Sequence, residues 1–330
     1  MTPGLSPARQ SGPSRFETRD IDDDAKHFCD AGIDISIRPL GARSGRIALS
    51  SMKGIVEGVN FACAAFEEPV EIVPRESFDA MELLFPVMGT TAITLGAHTL
   101  DLTRQHGAIF DVQRLDLLKR SAASENYGVF IDQKILTGRL FELPGMPVTR
   151  KLEFTPELDL TQPPVVALKA FLTCLEGTNI LPSLNHAPQS RRRLAALVAD
   201  MVLELLPHNY RDALQRVPGM IAPRHVKRAI DYIQANAQAG ICSEDLVRIS
   251  GVSLRALQYG FRKFLGASIS EYERSIRLDR ARRDIERDPA ERIAVICERW
   301  GFSNFTRFNT QFEAAFGVNA VALRKSLQQR

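Results

Sequence analysis

From Ile33 to about Val129 the chain alternates apolar and polar residues in short runs, the period of two that marks strands with one buried face. Ile33-Asp34-Ile35-Ser36-Ile37, Val70-Glu71-Ile72-Val73 and Met81 to Val87 carry the pattern, and Gly89, Gly96 and Gly107 punctuate it. Ala92 to Leu102 predicts a hairpin turning at Gly96-Ala97-His98, with Ile93, Leu95, Leu100 and Leu102 facing inward. Strands this short and this closely spaced predict a small β-barrel or sandwich. The period then lengthens. Pro164 to Leu175 and Arg191 to Leu206 read as helices, the second with Leu194, Leu197, Val198, Met201 and Leu205 in one stripe. That stripe suits a dimer interface or packing against the chain's own barrel.

From Val226 onward the pattern is helical throughout. Val226, Ala229, Ile230 and Ile233 share a face, and Ser243 with Glu244 and Asp245 reads as an N-cap and acidic first turn. Gly251 breaks that helix, and Ser253 caps the next, which ends at Gly266. Tyr272, Ile276, Ala281 and Ile285 place a long helix before Asp288-Pro289. Ile293 to Trp300 forms another, broken at Gly301-Phe302, and Ser303 starts a helix ending at Gly317. The expected organisation is therefore a disordered leader (1–15), a regulatory domain (16–208), a linker (209–222) and an all-α domain (223–330). Within the regulatory domain a β-barrel covers about 30–150 and helices about 160–208. The linker holds Pro218 and Gly219.

The all-α domain contains one pattern twice. Leu246-Val247, Gly251, Ser253, Leu257, Phe261 and Gly266 recur as Ile296-Cys297, Gly301, Ser303, Phe308, Phe312 and Gly317. The offset is 50 residues at the turn and 51 beyond it, so the second turn carries an extra residue. An apolar pair anchors a first helix, Gly permits a tight reversal, a small polar residue caps the second helix, and apolar residues four apart bind its inner face. This is a helix-turn-helix, whose second helix is free to enter a major groove. Two such units joined by a long helix are expected.

Charge sharpens that reading. The net charge of +3 is unremarkable, but residues 223–330 hold 19 Lys+Arg against 12 Asp+Glu. A basic tail behind an acidic front suits one domain that meets phosphate and one that does not. Five scattered cysteines without CxxC spacing fit a reducing compartment better than a disulfide framework or zinc site. No signal peptide and no apolar run of the roughly 18 residues a membrane span needs is seen, so a cytoplasmic protein is expected.

At these residues the chain resembles the AraC/XylS family of bacterial regulators. The resemblance runs from Leu246-Val247 through Gly251 to Gln258, Phe261-Arg262, Gly266, Tyr272, Arg277-Leu278, Ala281-Arg282, Ile285, Ile293, Ile296, Gly301-Phe302-Ser303, Phe308, Phe312 and Gly317. The segment Leu205 to Leu214 also looks like the end of the regulatory half in a subset of the family whose front is a cupin-like, arabinose-binding type of barrel. Three departures stand out. Ile269 and Ala320 replace the family's proline, Val247 and Cys297 its small alanine, and Tyr259 and Thr310 a common basic residue. The resemblance implies double-stranded DNA and RNA polymerase as partners, a small-molecule effector in the front domain, possible dimerisation, and activation of nearby genes.

The DNA-reading face expected in the first unit is Ser253, Leu254, Arg255, Gln258, Tyr259 and Arg262. In the second it is Ser303, Asn304, Phe305, Thr306, Arg307 and Thr310. Arg255 suits guanine O6/N7, Gln258 suits adenine N6/N7, and Phe305 offers contact to a thymine methyl. Arg262, Lys263, Arg280, Arg282 and Arg283 read as phosphate contacts or helix-surface charges. Neutralising about six phosphates gives a log-log salt slope near about −5. The two reading helices are expected about 34 Å apart on one DNA face. Met81, Leu83, Phe85, Ile93, Leu95 and Phe110 are the expected effector lining. A metal-dependent cupin enzyme is the weaker alternative: the six histidines lack ligand spacing, no P-loop, GxGxxG or GxSxG occurs, and neither metal nor cofactor is expected. A ligand-independent dimeric regulator or a repressor is the other.

Overall fold

The computed structural model describes residues 14–18, 35–41, 48–56, 58–75, 79–142, 148–177, 184–216 and 223–328. The chain divides into two compact units, Met1–Leu136 with Phe154–Pro207, and Thr137–Glu153 with His208–Arg330.

The first unit is built on twelve described strands: β1 (Ser14–Thr18), β2 (Ile35–Pro39), β3 (Ala48–Val56), β4 (Val59–Phe66), β5 (Val70–Pro74), β6 (Ala80–Met88), β7 (Thr91–Leu95), β8 (His98–Leu102), β9 (His106–Asp111), β10 (Leu115–Arg120), β11 (Ser124–Asp132) and β12 (Glu157–Asp159). They form a seven-stranded sheet in the order β1-β3-β4-β11-β6-β9-β12 and a five-stranded sheet in the order β2-β5-β10-β7-β8. The β7–β8 hairpin turns where expected, with Gly96 left-handed at φ +62°. A single apolar core gathers residues of both sheets, among them Ile37, Phe66, Val70, Ile72, Leu84, Ile93, Leu95, Leu102, Phe110 and Phe130. The expected leader ends early, because Ser14 and Arg15 already pair with Met52 and Ser51 of β3; residues 1–13 lie outside the described residues.

Helices α1 (Gln133–Glu142), α2 (Pro163–Gly177) and α3 (Pro188–Leu205) follow. The Tyr127 hydroxyl of β11 donates to the Leu172 carbonyl of α2 at 3.0 Å, and Lys169 of α2 lies over the Phe85 ring of β6 at 5.8 Å. The seven-stranded sheet is thus covered on both faces. On α3 the buried residues are Ala195, Val198, Ala199, Val202 and Leu203, whereas Leu197 is 46% exposed. The expected leucine stripe is corrected accordingly: the small alanines sit inward, and the buried face is rotated around the helix.

The second unit holds α4 (Arg211–Arg216), α5 (Arg224–Ala235), α6 (Ser243–Ser250), α7 (Leu254–Leu265), α8 (Ile269–Arg287), α9 (Ile293–Arg299), α10 (Phe305–Phe316) and α11 (Ala320–Gln328). Two cores form along it. Val226, Ile230, Ile233, Leu246, Leu257, Phe261 and Tyr272 make the first, and Leu278, Ala281, Ile285, Ile293, Ile296, Phe308 and Phe312 the second. Helix α8 supplies residues to both, so it is the spine joining them. Its start is fixed by a capping box that composition alone did not reveal: Glu271 N–H donates to Ser268 Oγ at 3.2 Å, and Ser268 N–H donates to Glu271 Oε2 at 2.7 Å.

Two boundaries differ from the sequence expectation. The proposed linker contains helix α4, and residues 217–222 lie outside the described residues. Thr137–Glu153, expected within the barrel, belongs to the helical unit. Side-chain contacts explain this. Phe141 packs 5.3 Å from Phe316, and the Tyr210 hydroxyl accepts from the Arg150 amide at 2.8 Å while donating to the Arg150 carbonyl at 2.6 Å.

Candidate nucleic-acid interface

Helix α6 ends on Gly251 at φ +73°, whose N–H donates to the Val247 carbonyl at 2.9 Å. A left-handed residue at this point reverses the chain without a Cβ clash. Ser253 then caps α7, its Oγ accepting from the Ala256 amide at 3.3 Å. Leu257, Phe261 and Leu265 turn inward to the first core. Arg255, Gln258, Tyr259, Arg262 and Lys263 are left exposed, and Leu254 is half-buried. Tyr259 is 65% exposed, with Lys263 Nζ 5.6 Å from its ring centre.

The second unit repeats this with one alteration. Gly301 is left-handed at φ +75°, but Asn304, not Ser303, caps α10, its Oδ1 accepting from the Arg307 amide at 2.8 Å. Ser243 is corrected in the same way: Cys242 is the N-cap of α6 and makes no side-chain capping bond. The extra residue therefore lies between Gly301 and the cap, and α10 runs 51 positions behind α7 along its whole length. Phe305 answers Leu254, Thr306 answers Arg255, Thr310 answers Tyr259, and Glu313 answers Arg262. Ser303, Asn304, Phe305, Thr306, Arg307 and Thr310 are all exposed, Phe305 by 44%. Two of them already have intrahelical work: Asn304 as the cap, and Thr310, whose hydroxyl donates to the Thr306 carbonyl at 3.1 Å. Exposed Glu313 is absent from the expected face, although the 51-residue offset in the sequence would have found it.

The basic residues separate by what they touch. Arg282 is buried in ion pairs with Asp279 at 3.1 Å and Glu286 at 2.8 Å, so it holds α8 together and does not face phosphate. Arg283 pairs with Asp279 at 3.0 Å but stays half exposed, and Arg280 is exposed. Arg277 reaches both halves of the unit. Its Nε donates to the Ala237 carbonyl at 2.9 Å, and its Nη1 lies 3.1 Å from where a Cβ on Gly301 would stand. A cleft between α8 and the second turn is lined by Arg274, Arg277, Ser303, Asn304 and Arg307, placing two further cations beside the start of α10.

The expected effector lining does not form one surface. Ile93, Leu95 and Phe110 face the core between the sheets. Met81, Leu83 and Phe85 alternate with Ala80 and Leu84 along β6 and so point to the opposite face, where Phe85 stacks 6.1 Å from Tyr127 beside α2. A pocket shared by all six is corrected to one that only the first three can line.

Residues 246–326 match the Helix-turn-helix domain, and residues 30–207, more than half of the chain, match the AraC-binding-like domain. The chain belongs to the AraC family of transcriptional regulators.

This AraC-type chain is 28% identical over 329 residues to a "Probable thc operon regulatory protein" of Rhodococcus erythropolis, covering 95% of this chain and 96% of that one. It is 26% identical over 133 residues to a "XylDLEGF operon transcriptional activator" of Pseudomonas putida, with 39% and 40% covered. Among solved structures it resembles the AraC-like transcriptional activator CuxR at 16% identity and a TM-score of 0.42, covering 81% of this chain and 95% of that one. The two-sheet front with helices and the helical DNA-binding tail are the architecture of the two domains matched, the AraC-binding-like and the Helix-turn-helix domain. No helix among the described residues is long and apolar enough to cross a membrane.

Proposed function

We propose that this regulator reads DNA with the outer faces of α7 and α10, entering successive major grooves, and that a small molecule held between the two sheets sets the fraction competent to bind. One observation carries the reading. On both helices the apolar side is consumed by a core, while Arg255, Gln258, Tyr259, Phe305, Thr306 and Arg307 stand exposed next to a left-handed turn. Arg255 and Gln258 have the donor geometry for guanine and adenine edges. Activation of an operon is the direction the Pseudomonas putida relative's name supports, and RNA polymerase is the partner such an activator would act through. Exposed Leu197 on α3 is the place for a second copy to dock. The protein works in the cytoplasm without catalysis, metal or cofactor, and its output is occupancy of an operator. Because a ligand shifts a conformational balance only by its differential affinity, the effector must prefer one state.

The test is selection of operator sequences from random oligonucleotides by the full-length chain, paired with genome-wide mapping of bound sites. Arg255→Ala and Arg307→Ala are each expected to relax preference at one operator position by about 1–3 kcal/mol. Unchanged selectivity in both variants removes this reading face.

A further inference from the structure

The core between the sheets contains a buried carboxyl, that of Glu82. Along β6, Ala80 and Leu84 point into that core, and Glu82 lies between them with the same orientation. It stands directly across from Phe110 of β9 and Phe130 of β11, both core residues, with buried Asn60 beyond Phe130 in the same row. Its Oε1 lies over Gly128, 3.2 Å from where a Cβ would be, so the absent side chain makes room for the carboxyl. Ala62, Ala64 and Ala108 surround this spot with small side chains.

Of the other polar groups facing the core, Thr91, Asn126 and Arg120 have partners, whereas the Ser124 hydroxyl has none among the described residues. Thr91 and Asn126 join the two sheets by hydrogen bonds of 2.8 and 3.2 Å. Arg120 of β10 donates from Nη2 to the Ala64 carbonyl at 2.6 Å, and its guanidinium lies 4.7 Å from the Phe66 ring centre. Glu82 is 8% exposed, yet no hydrogen bond or ion pair is made by its side chain among the described residues. A buried polar group without a partner is costly, and its retention calls for an occupant that completes it. Burial pushes the carboxyl up to about 8, with the charge of Arg120 only partly opposing this. At neutral pH it is therefore mainly a neutral acid, able to donate one hydrogen bond and accept another.

We infer that Glu82 anchors a neutral effector with an apolar body and an adjacent N–H and C=O, an amide or lactam. This rests on the effector lying between the sheets, as proposed above. The carboxylic acid and the amide form a paired donor–acceptor fork with no change in charge. A cation would approach against the Arg120 charge, and an anion would meet a carboxyl whose ionisation it opposes. Apolar contact comes from Phe110, Ile93 and Leu95. The other charged groups on the surrounding strands are Glu125 and Asp132 of β11, which accept from the Cys63 thiol at 3.5 Å and the Lys134 amide at 2.9 Å, and exposed His106 and buried Asp111 of β9, the latter accepting from the Gln113 amide at 3.0 Å.

The experiment measures binding of benzamide, benzylammonium and benzoate to the full-length chain by calorimetry and thermal shift. Benzamide should bind at pH 7 and weaken about tenfold per pH unit above about 8, as the acid proton is lost. Glu82→Gln, which keeps a donor and an acceptor, should bind it with no such pH dependence. Glu82→Leu should unfold at a higher temperature without ligand, because the orphan carboxyl is gone, and should lose benzamide. Benzamide that fails to bind, binds Glu82→Leu as well as wild type, or ignores pH above 8 overturns the inference. If benzoate or benzylammonium binds wild type and Glu82→Leu alike but is excluded by Ala64→Met, the site between the sheets stands and only the amide class falls. If binding ignores Ala64→Met as well, the location itself is wrong.

Discussion

Asp284 on α8 divides its carboxylate among three donors. Oδ1 accepts from Arg287 at 2.7 Å, and Oδ2 accepts from Arg299 at 2.8 Å and from the Trp300 indole at 2.8 Å. Burial alone would raise its pKa, but the hydrogen bonds from Arg299 and Trp300 and the charges of Arg287 and Arg299 outweigh it and hold the carboxyl below the ordinary range. These contacts tie the end of the spine helix to α9, so one side chain braces the second helix-turn-helix. Asp284→Asn should destabilise this unit by about 1–2 kcal/mol, since the hydrogen bonds it accepts from Arg287, Arg299 and the Trp300 indole lose the carboxylate charge. The sign with pH follows from the depressed value. The stabilisation is complete above the unfolded pKa of about 3.9 and disappears as pH falls through the lower folded value. Denaturant titrations of both proteins from pH 7 to pH 2 should show the gap closing only at the acid end; a constant gap means the carboxylate charge is not the cause.

The two recognition helices share a backbone plan but not a charge. Arg262 and Lys263 close α7 with two cations, whereas the matching positions on α10 are Glu313 and Ala314. Phosphate attraction should therefore fall mainly on the first unit, and the second should contribute more through Phe305, Thr306 and Arg307. The Arg262→Gln/Lys263→Gln double variant is expected to flatten the log-log salt dependence of DNA affinity by about 2, and Glu313→Lys to steepen it by about 1. Fluorescence anisotropy from 50 to 300 mM salt, on about the range where such slopes are linear, reads both. Equal slopes for wild type and the double variant would place α7 off the DNA. The helical units themselves were legible in the sequence, because Gly251, Gly301, Ser253 and the apolar spacing act over one or two turns of chain. The cap at Asn304 was not, since Ser303 and Asn304 are equally good capping residues and only the inserted turn decides between them.

On the scale of the whole chain, the path between the two units is not a single crossing. Thr137–Glu153 leaves the first unit directly after β11, packs with the helical unit, and returns at Phe154. Phe141 lies against Phe316, and the Arg282 guanidinium lies 5.9 Å from the Phe141 ring centre and 5.6 Å from that of Phe316. A tail cut at residue 223 lacks Phe141 and Tyr210. Phe141→Ala in the full chain should cost about 3 kcal/mol or somewhat less, because the ring is only partly buried, and should bring its helical unit toward the stability of the isolated tail. Differential scanning calorimetry of wild type, variant and tail checks the order; a tail as stable as the full-length unit refutes it. Whatever the sequence said of 1–15, 16–208 and 209–222, it could not show this excursion. The segment was expected within the barrel, and Phe316, the partner of its Phe141, is more than a hundred and seventy residues away in the chain.

Local order was enough for the β7–β8 hairpin, the tandem helix-turn-helix and the exposure of the polar sides of α7 and α10, since dihedral preference, capping and periodicity are settled among residues within a few positions of one another. Face and partner were not local matters. The seven-stranded sheet is covered on both sides, so Leu83, Leu84 and Phe85 run as consecutive apolar residues and hide which of them meet Ile93 and which meet α2. Leu197 and Ala195 occupy nearly opposite sides of α3, and only packing against neighbours selects the smaller one for burial. Glu82 reads as a solvated acid until the opposing sheet closes over it, because desolvation depends on everything folded around a group and on nothing in its own neighbourhood of sequence.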